Sequence, residues 1–220
     1  MNSLRTKIYQ MPNVTIIMSK YLTLKIPAVL SFKYLVLVCI PLYFAACTNS
    51  PAPAASPEKD EATRAAIEER LISELAPTDD RAGRERNAII NHAIDNNYDV
   101  YAAPEGYFYE ILDSGSVVGF VEGDYAEAHY RGQFFDGRVF DDSRRRGEKI
   151  YFRVGDLIPA WNLGVQRIQN GGAVRILAPS SLGYGAEGLV SGRGDTLVPA
   201  FSVLEFLLEG VLIAESPEGF

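Results

Sequence analysis

The chain has 220 residues, of which 47% are hydrophobic and 22% are charged, and its formal net charge is −7. This composition is that of an ordinary globular protein, with room for one domain and extensions. The acidic balance argues against nucleic acid or an anionic membrane surface as the binding partner.

Residues 1–46 have the layout of a secretory signal peptide. They contain five Lys or Arg residues and no Asp or Glu, and the apolar run YLVLVCIPLYF lies just before two alanines and Cys47. The run is too short to span a bilayer, which needs ~20 residues. A start at Met18 rather than Met1 would bring the segment into the usual length of ~15–30 residues. We expect residues 1–46 to be removed, which would leave a more acidic chain.

Cys47 ends the sequence FAAC, which resembles the lipobox of bacterial lipoproteins, in which this cysteine is lipidated and becomes the mature N-terminus. Phe44 departs from the usual leucine, and the alternative is a plain secretory signal with an incidental cysteine. Cys39 lies in the apolar run, so the mature chain would retain Cys47 alone and form no intrachain disulfide. Lipidation predicts a membrane anchor in the cell envelope. Thr48 is not the aspartate associated with inner-membrane retention, which favours the outer membrane, with the protein facing the periplasm or the cell surface.

A Pro/Ala/Ser-rich tether over residues 47–60 and a helical region over residues 61–103 are predicted next. In EATRAAIEERLISELA the apolar residues recur every four positions, at Ile67, Leu71 and Leu75, before a proline. A second helix is predicted over about residues 79–95, with four apolar residues on one side: Ile89, Ile90, Ala93 and Ile94. We expect a helical spacer or a homodimerisation arm, with His92 on the helix surface.

Residues 104–214 change to short strands and turns, which predicts a second kind of structure. Alternation over residues 125–134 and 202–213 indicates antiparallel strands, the last half-buried with Glu205 and Glu209 on its exposed side. DLIPAWNLGVQRIQNGG, residues 156–172, contains the single tryptophan, Trp161, and begins the one predicted helix, with Pro159 at its first position. The fold class is therefore α+β: an antiparallel sheet wrapped around one short α-helix, with a tail at residues 215–220.

Groups for nucleophilic or metal chemistry are scarce in residues 104–214. His129 is the one histidine there, and the region has no cysteine, so neither a catalytic triad nor a metal site is predicted. Aromatic and aliphatic residues predominate instead, which favours an apolar ligand cleft. We expect neither a cofactor nor a metal ion.

Four segments in order resemble the FK506-binding-protein family of peptidyl-prolyl isomerases, over about residues 104–213. They are HYRGQFFDGRVFDDS, DLIPAWNLGVQRIQNGG, APSSLGYGAEG and VPAFSVLEFLLEGVLI. The resemblance implies an isomerase acting on proline-containing polypeptides, with a tryptophan beneath the proline. Its implied catalytic residues are Tyr130, Phe140, Asp141, Ile158, Trp161, Tyr184 and Phe206. The Tyr184 hydroxyl and the Ile158 N–H would hold substrate carbonyls, and Arg146 would orient the Asp141 carboxylate.

Several positions depart from the family pattern. Ile150 stands where an aromatic residue is common, and Ala160 replaces a glycine before the tryptophan. One residue is missing ahead of Leu157, and the loop over residues 189–199 is longer than usual. The expected substrate-binding residues are Arg146, Ile150, Leu157, Leu197 and Val198, the last two facing the site from this loop.

Two functions from different classes remain open. The first is an isomerase, tethered in the cell envelope, that assists the folding of exported proteins. The second is a lipid-anchored module that binds proline peptides without turnover, or a chaperone, serving a secretion or gliding-motility apparatus. Some lipid-anchored relatives in gliding bacteria imply that association.

Overall fold

A computed structural model of the protein describes residues 59–216. The expected signal peptide, Cys47, most of the tether and residues 217–220 of the tail lie outside the described residues. Two helices come first, α1 (Glu61–Ser73) and α2 (Arg81–Asp95). Each begins after an aspartate, Asp60 or Asp80, whose side chain accepts a hydrogen bond of 2.8 Å from the backbone N–H three residues later. These caps satisfy donors that have no partner inside the helix, which is why the helices begin there.

Strands and three short helical segments make up the rest of the described chain. They are β1 (Tyr101–Ala102), β2 (Phe108–Asp113), β3 (Tyr125–Phe134), β4 (Val139–Asp142), α3 (Ser143–Arg146), β5 (Ile150–Arg153), α4 (Pro159–Val165), β6 (Gly172–Ala178), a 3₁₀ turn (Ser180–Leu182), β7 (Leu189–Val190), β8 (Thr196–Val198) and β9 (Leu204–Ile213).

Seven strands form one antiparallel sheet in the order β1-β2-β6-β9-β3-β4, with β5 pairing with the first half of β3. Strands β7 and β8 form a separate hairpin. Helix α4 packs against β6, where a Cβ added at Gly164 would lie 2.3 Å from the Ile176 side chain. Only a glycine allows the helix this close to the sheet. The structure confirms the α+β class and the sheet around α4.

The helices α1 and α2 cover the opposite face of the sheet. Their buried residues form one cluster with residues of the sheet and the loop before it: Ile67, Leu71, Ile89, Ile90, Ala93, Val100, Phe108 and Leu177. Leu177 lies in this cluster, whereas its neighbour in β6, Ile176, lies in the cluster around α4. Because neighbouring residues of a strand point to opposite faces of the sheet, α1 and α2 pack on the face that α4 does not occupy. The helical region is therefore a layer of the fold, and the expectation of a separate spacer is wrong.

Other local expectations also need correction. A second short helix, α3, contains Arg144 and Arg145, although we expected only one helix in residues 104–214. Asp142 is its N-cap and accepts hydrogen bonds from both of those backbone N–H groups. Leu75 lies beyond the end of α1 and is 39% exposed, because the helix stops at Ser73. Among residues 59–216, no helix has the length and apolar character needed to cross a bilayer.

A polar cluster joins α2 to the outer face of β9. The Glu205 side chain is 6% exposed and accepts hydrogen bonds from His92 (2.9 Å), Gln133 (3.1 Å) and Arg175 (3.2 Å). The His92 ring stacks on Phe135 with centroids 4.0 Å apart. The expectations of a half-buried last strand and a surface histidine are therefore wrong at this point. The reason is that α2 covers the strand face on which Glu205 lies.

The cluster predicts a loss of stability in acid. Burial alone would raise the pKa of the Glu205 carboxyl, but hydrogen bonds from His92 and Gln133 and the Arg175 charge hold it below the usual value of 4.5. A folded-state pKa below the unfolded value stabilises the fold above the unfolded pKa, and this contribution is lost as pH falls through the folded pKa. We expect the free energy of unfolding to decrease as the pH drops below about 4.5, and to decrease less steeply with pH in Glu205→Gln. Urea titrations at a series of pH values measure both slopes, and equal slopes would contradict the prediction.

Candidate active site

A cavity of about 240 Å³ opens at the N-terminal end of α4. Residues from four strands, α4 and the adjacent loops line it: Tyr130, Phe140, Asp141, Ile150, Asp156, Leu157, Ile158, Trp161, Tyr184 and Phe206. The structure therefore brings together all seven residues expected to be catalytic, and two of the expected substrate-binding residues, Ile150 and Leu157. It also adds Asp156, which the sequence reasoning missed although it directly precedes Leu157.

Trp161 is held in place by three rings. It is 4% exposed and meets Tyr130, Phe152 and Phe206 edge to face, with centroid distances of 4.9, 5.8 and 5.7 Å. Such edge-to-face pairs are favourable beyond the area they bury. The indole N–H is buried and has no hydrogen-bond partner among residues 59–216. The indole therefore acts here as a fixed apolar surface with cavity space beside it.

Glycine at position 132 allows Phe140 to lie against the sheet. A Cβ at Gly132 would be 2.6 Å from the Phe140 ring and 3.2 Å from the Phe206 ring. Gly132 pairs with Phe206 across β3 and β9. The two phenyl rings meet edge to face at 5.9 Å, so strand register and the missing side chain together build this wall of the cavity.

Two polar residues of the cavity, Tyr130 and Asp141, are hydrogen-bonded to each other and to Arg146. The Tyr130 hydroxyl donates a hydrogen bond to one oxygen of the Asp141 carboxylate, and Arg146 donates to the other. A second Arg146 nitrogen donates to the Tyr130 oxygen at 3.2 Å. Arg146 does not line the cavity, and it reaches the site through its hydrogen bonds to Tyr130 and Asp141. Each carboxylate oxygen of Asp141 therefore has a partner, and the carboxylate fixes the orientation of the Tyr130 hydroxyl.

Two hydrogen-bond donors are left for a ligand. Within residues 59–216 neither the Tyr184 hydroxyl nor the Ile158 N–H donates to another protein group, whereas the Ile158 carbonyl accepts from α4 at 3.0 Å. Burial raises the pKa of the Tyr184 hydroxyl, so it stays protonated at neutral pH. Among the described residues, no group of three His, Cys, Asp or Glu side chains could hold a metal ion.

Leu197 and Val198 do not face the cavity, contrary to expectation. Val198 is fully buried in the core, and Leu197 is 41% exposed. Both lie in β8, and adjacent residues of a strand point to opposite sides, so they could not share one site. The long loop instead folds back on itself as the β7–β8 hairpin, where Leu189 pairs with Val198.

Comparison with known proteins agrees with this fold. The family model described as FKBP-type peptidyl-prolyl cis-trans isomerase matches residues 119–209. FK506-binding protein 2 of Debaryomyces hansenii is 38% identical over 96 residues, which cover 43% of this chain and 67% of that protein. A crystal structure of a peptidyl-prolyl cis-trans isomerase from Pseudomonas syringae pv. tomato is 26% identical, with a TM-score of 0.51, over 64% of this chain and 98% of that one. The chain belongs to the FKBP-type peptidyl-prolyl cis-trans isomerase family.

The similarity extends beyond the family domain in bacterial relatives. FkpA of Escherichia coli, an FKBP-type peptidyl-prolyl cis-trans isomerase, is 29% identical over 171 residues, which cover 74% of this chain. The match spans 59% of the length of that relative.

Proposed function

We propose that the protein is a peptidyl-prolyl cis-trans isomerase acting on proline-containing polypeptides. The observation that carries the proposal is the ring-lined cavity beside Trp161, with two unused hydrogen-bond donors at its edge. Family membership supports the same activity.

The reaction requires little from side chains. Rotation about an amide is opposed by ~18–20 kcal/mol because of its partial double bond, and at X–Pro the exchange takes tens to hundreds of seconds. A catalyst must bind the twisted amide better than either planar form. The twisted amide has less charge separation, so an apolar cavity favours it. The proline ring would lie on Trp161 while Tyr184 and the Ile158 N–H hold neighbouring carbonyls, which fixes one end of the chain as the other turns.

A protease-coupled assay with a proline peptide tests the activity. We expect the purified protein to accelerate cis-to-trans exchange well above the spontaneous rate. Because no covalent step is involved, no cofactor should be required. Peptide binding without acceleration would contradict the proposal and favour the alternative, a non-catalytic binding module or chaperone for a secretion or gliding-motility apparatus.

The cell-envelope location is a separate proposal, supported by the signal-like residues 1–46 and by FAAC at Cys47. In this proposal the lipid on Cys47 tethers the isomerase, with the outer membrane as its site, where it assists folding of exported proteins. Labelled palmitate and membrane fractionation test this. The wild-type protein should carry the label and sediment with outer membranes, and Cys47→Ser should do neither.

A homodimer through the N-terminal helices would need surface that the fold leaves uncovered. The apolar faces of α1 and α2 are buried against the sheet. Ile72 and Leu75 are apolar residues of this region that stay accessible, at 50% and 39% exposure. Sedimentation of the wild-type protein and of Ile72→Glu tests whether these residues join two copies. A concentration-dependent dimer that Ile72→Glu abolishes would support the interface.

A further inference from the structure

The helix α2 lies outside the family-matched residues 119–209, yet it holds the segment that carries Tyr184. The Glu85 carboxylate accepts two hydrogen bonds from Ser180, one from the backbone N–H at 2.8 Å and one from the hydroxyl at 2.7 Å. Ser180 is 3% exposed, so its end of this pairing is shielded from water, whereas Glu85 is half-buried. Hydrogen bonds to a carboxylate are stronger than those between neutral groups.

Ser180 in turn fixes both sides of Tyr184. Its carbonyl accepts hydrogen bonds from the N–H groups of Gly183 (3.1 Å) and Gly185 (2.9 Å), which flank the tyrosine. Glu85 therefore holds the N–H and the hydroxyl of a residue, Ser180, whose carbonyl accepts the hydrogen bonds that set the backbone around Tyr184. The Tyr184 ring meets the Phe140 ring edge to face with centroids 6.5 Å apart and packs against the core cluster around α4. The backbone around Tyr184 sets where this ring, and so its hydroxyl, lies in the cavity.

A second contact from α2 reaches the same segment. The Arg81 guanidinium lies over the Phe201 ring, 3.4 Å from its centroid. The Phe201 N–H donates to the Gly185 carbonyl at 2.8 Å. Phe201 has a positive φ of 57°, which is rare for an aromatic residue and costs conformational energy. The stacked guanidinium helps to stabilise this backbone, so α2 holds the Tyr184 segment from both ends.

We propose that Glu85 is a positioning residue for the Tyr184 hydroxyl, acting through Ser180, so that α2 sets how the cavity holds a substrate carbonyl. The inference rests on the proposed isomerase function. It assigns to the N-terminal layer a role in the chemistry in addition to covering the sheet.

A double-mutant cycle tests the coupling. We expect Glu85→Ala to lower kcat/KM by about threefold to tenfold, as the loss of one well-placed hydrogen bond would. In a Tyr184→Phe background, where there is no hydroxyl to position, Glu85→Ala should have almost no further effect. Glu85→Gln keeps one acceptor oxygen and should restore part of the rate. Glu69→Ala, which removes an exposed glutamate from α1, is the matched control and should leave the rate unchanged.

Amide hydrogen exchange gives a readout that does not require turnover. In Glu85→Ala the N–H groups of Ser180, Gly183 and Gly185 should exchange faster than in the wild-type protein, whereas those of β3 should not change. Unchanged exchange at these three residues, or losses in kcat/KM that simply multiply in the double variant, would overturn the proposal. A wild-type protein that binds a proline peptide without turnover would refute the isomerase function alone, and the same cycle measured as peptide Kd would then decide the role of Glu85.

Discussion

Trp161→Leu is expected to lower kcat/KM for a proline peptide by about 10- to 100-fold. The change replaces the flat ring on which the proline would lie with a smaller branched side chain, and a loss of this size corresponds to about 1.4–2.7 kcal/mol of transition-state stabilisation. The indole N–H has no protein partner among the described residues, so the substitution breaks no hydrogen bond and reports the loss of the ring itself. The protease-coupled assay measures the effect.

Phe152→Leu is the matched control for this prediction. Phe152 is 5% exposed and packs against Trp161 with centroids 5.8 Å apart, but it does not line the cavity. We expect Phe152→Leu to lower Tm about as much as Trp161→Leu does, while changing kcat/KM less than about threefold. Equal losses of activity in the two variants would mean that packing, rather than the floor under the proline, determines the rate. Full activity in Trp161→Leu would remove the proposed site.

Glu205→Ala is expected to destabilise the fold by about 3 kcal/mol, or roughly 6–12 °C in Tm. The carboxylate is nearly buried and accepts hydrogen bonds from His92, Gln133 and Arg175. Arg175 would keep its second carboxylate, Glu110, but the partly buried donors of His92 and Gln133 would lose their acceptor. Thermal and urea unfolding, monitored by circular dichroism, measure the loss.

Glu209→Ala provides the comparison on the same strand. Glu209 pairs with Arg144 at 3.0 Å, and the two side chains are 43% and 56% exposed. Exposed ion pairs of this kind contribute less than about 1 kcal/mol. If Glu205→Ala cost no more than Glu209→Ala, the α2 layer would not be held to the sheet by this cluster.

Trp161→Leu and Glu205→Ala test contacts on the two opposite faces of strand β9. Glu205 and Phe206 are adjacent in β9, so one points to the α2 layer and the other into the cavity. The same strand therefore carries the wall of the site on one face and the anchor of the helices on the other. Packing on both faces of β9 limits how far Phe206 can move, which is what the proposed reaction requires of a cavity that holds a twisted amide in one orientation.

Much of the local structure could be predicted from the pattern of residues. Alternation identified β3 with its observed ends, Tyr125–Phe134, and a four-residue repeat with a following proline located α1. Pro159 marked the start of α4. These features depend on residues within a few positions of one another, so periodicity and capping are sufficient to recognise them.

The errors lie where distant segments meet or where a short loop takes regular structure. The sequence led us to put His92 and Glu205 on exposed faces, yet the two are 113 positions apart and bury each other. Leu197 and Val198 were expected to share a site, but the β7–β8 hairpin turned them to opposite sides. No local signal reports which face of a strand a remote helix will cover, or how an inserted loop will fold back.

By itself, the sequence determined the order of helices and strands, the resemblance to the isomerase family and the set of rings that line the cavity. The tertiary structure alone decided that α1 and α2 form a layer on the sheet, and that Glu85 and Glu205 connect this layer to the segments carrying Tyr184 and Phe206. The physical reason is that local periodicity specifies which face of an element is apolar. The partner of each buried polar group is specified only when the chain is packed.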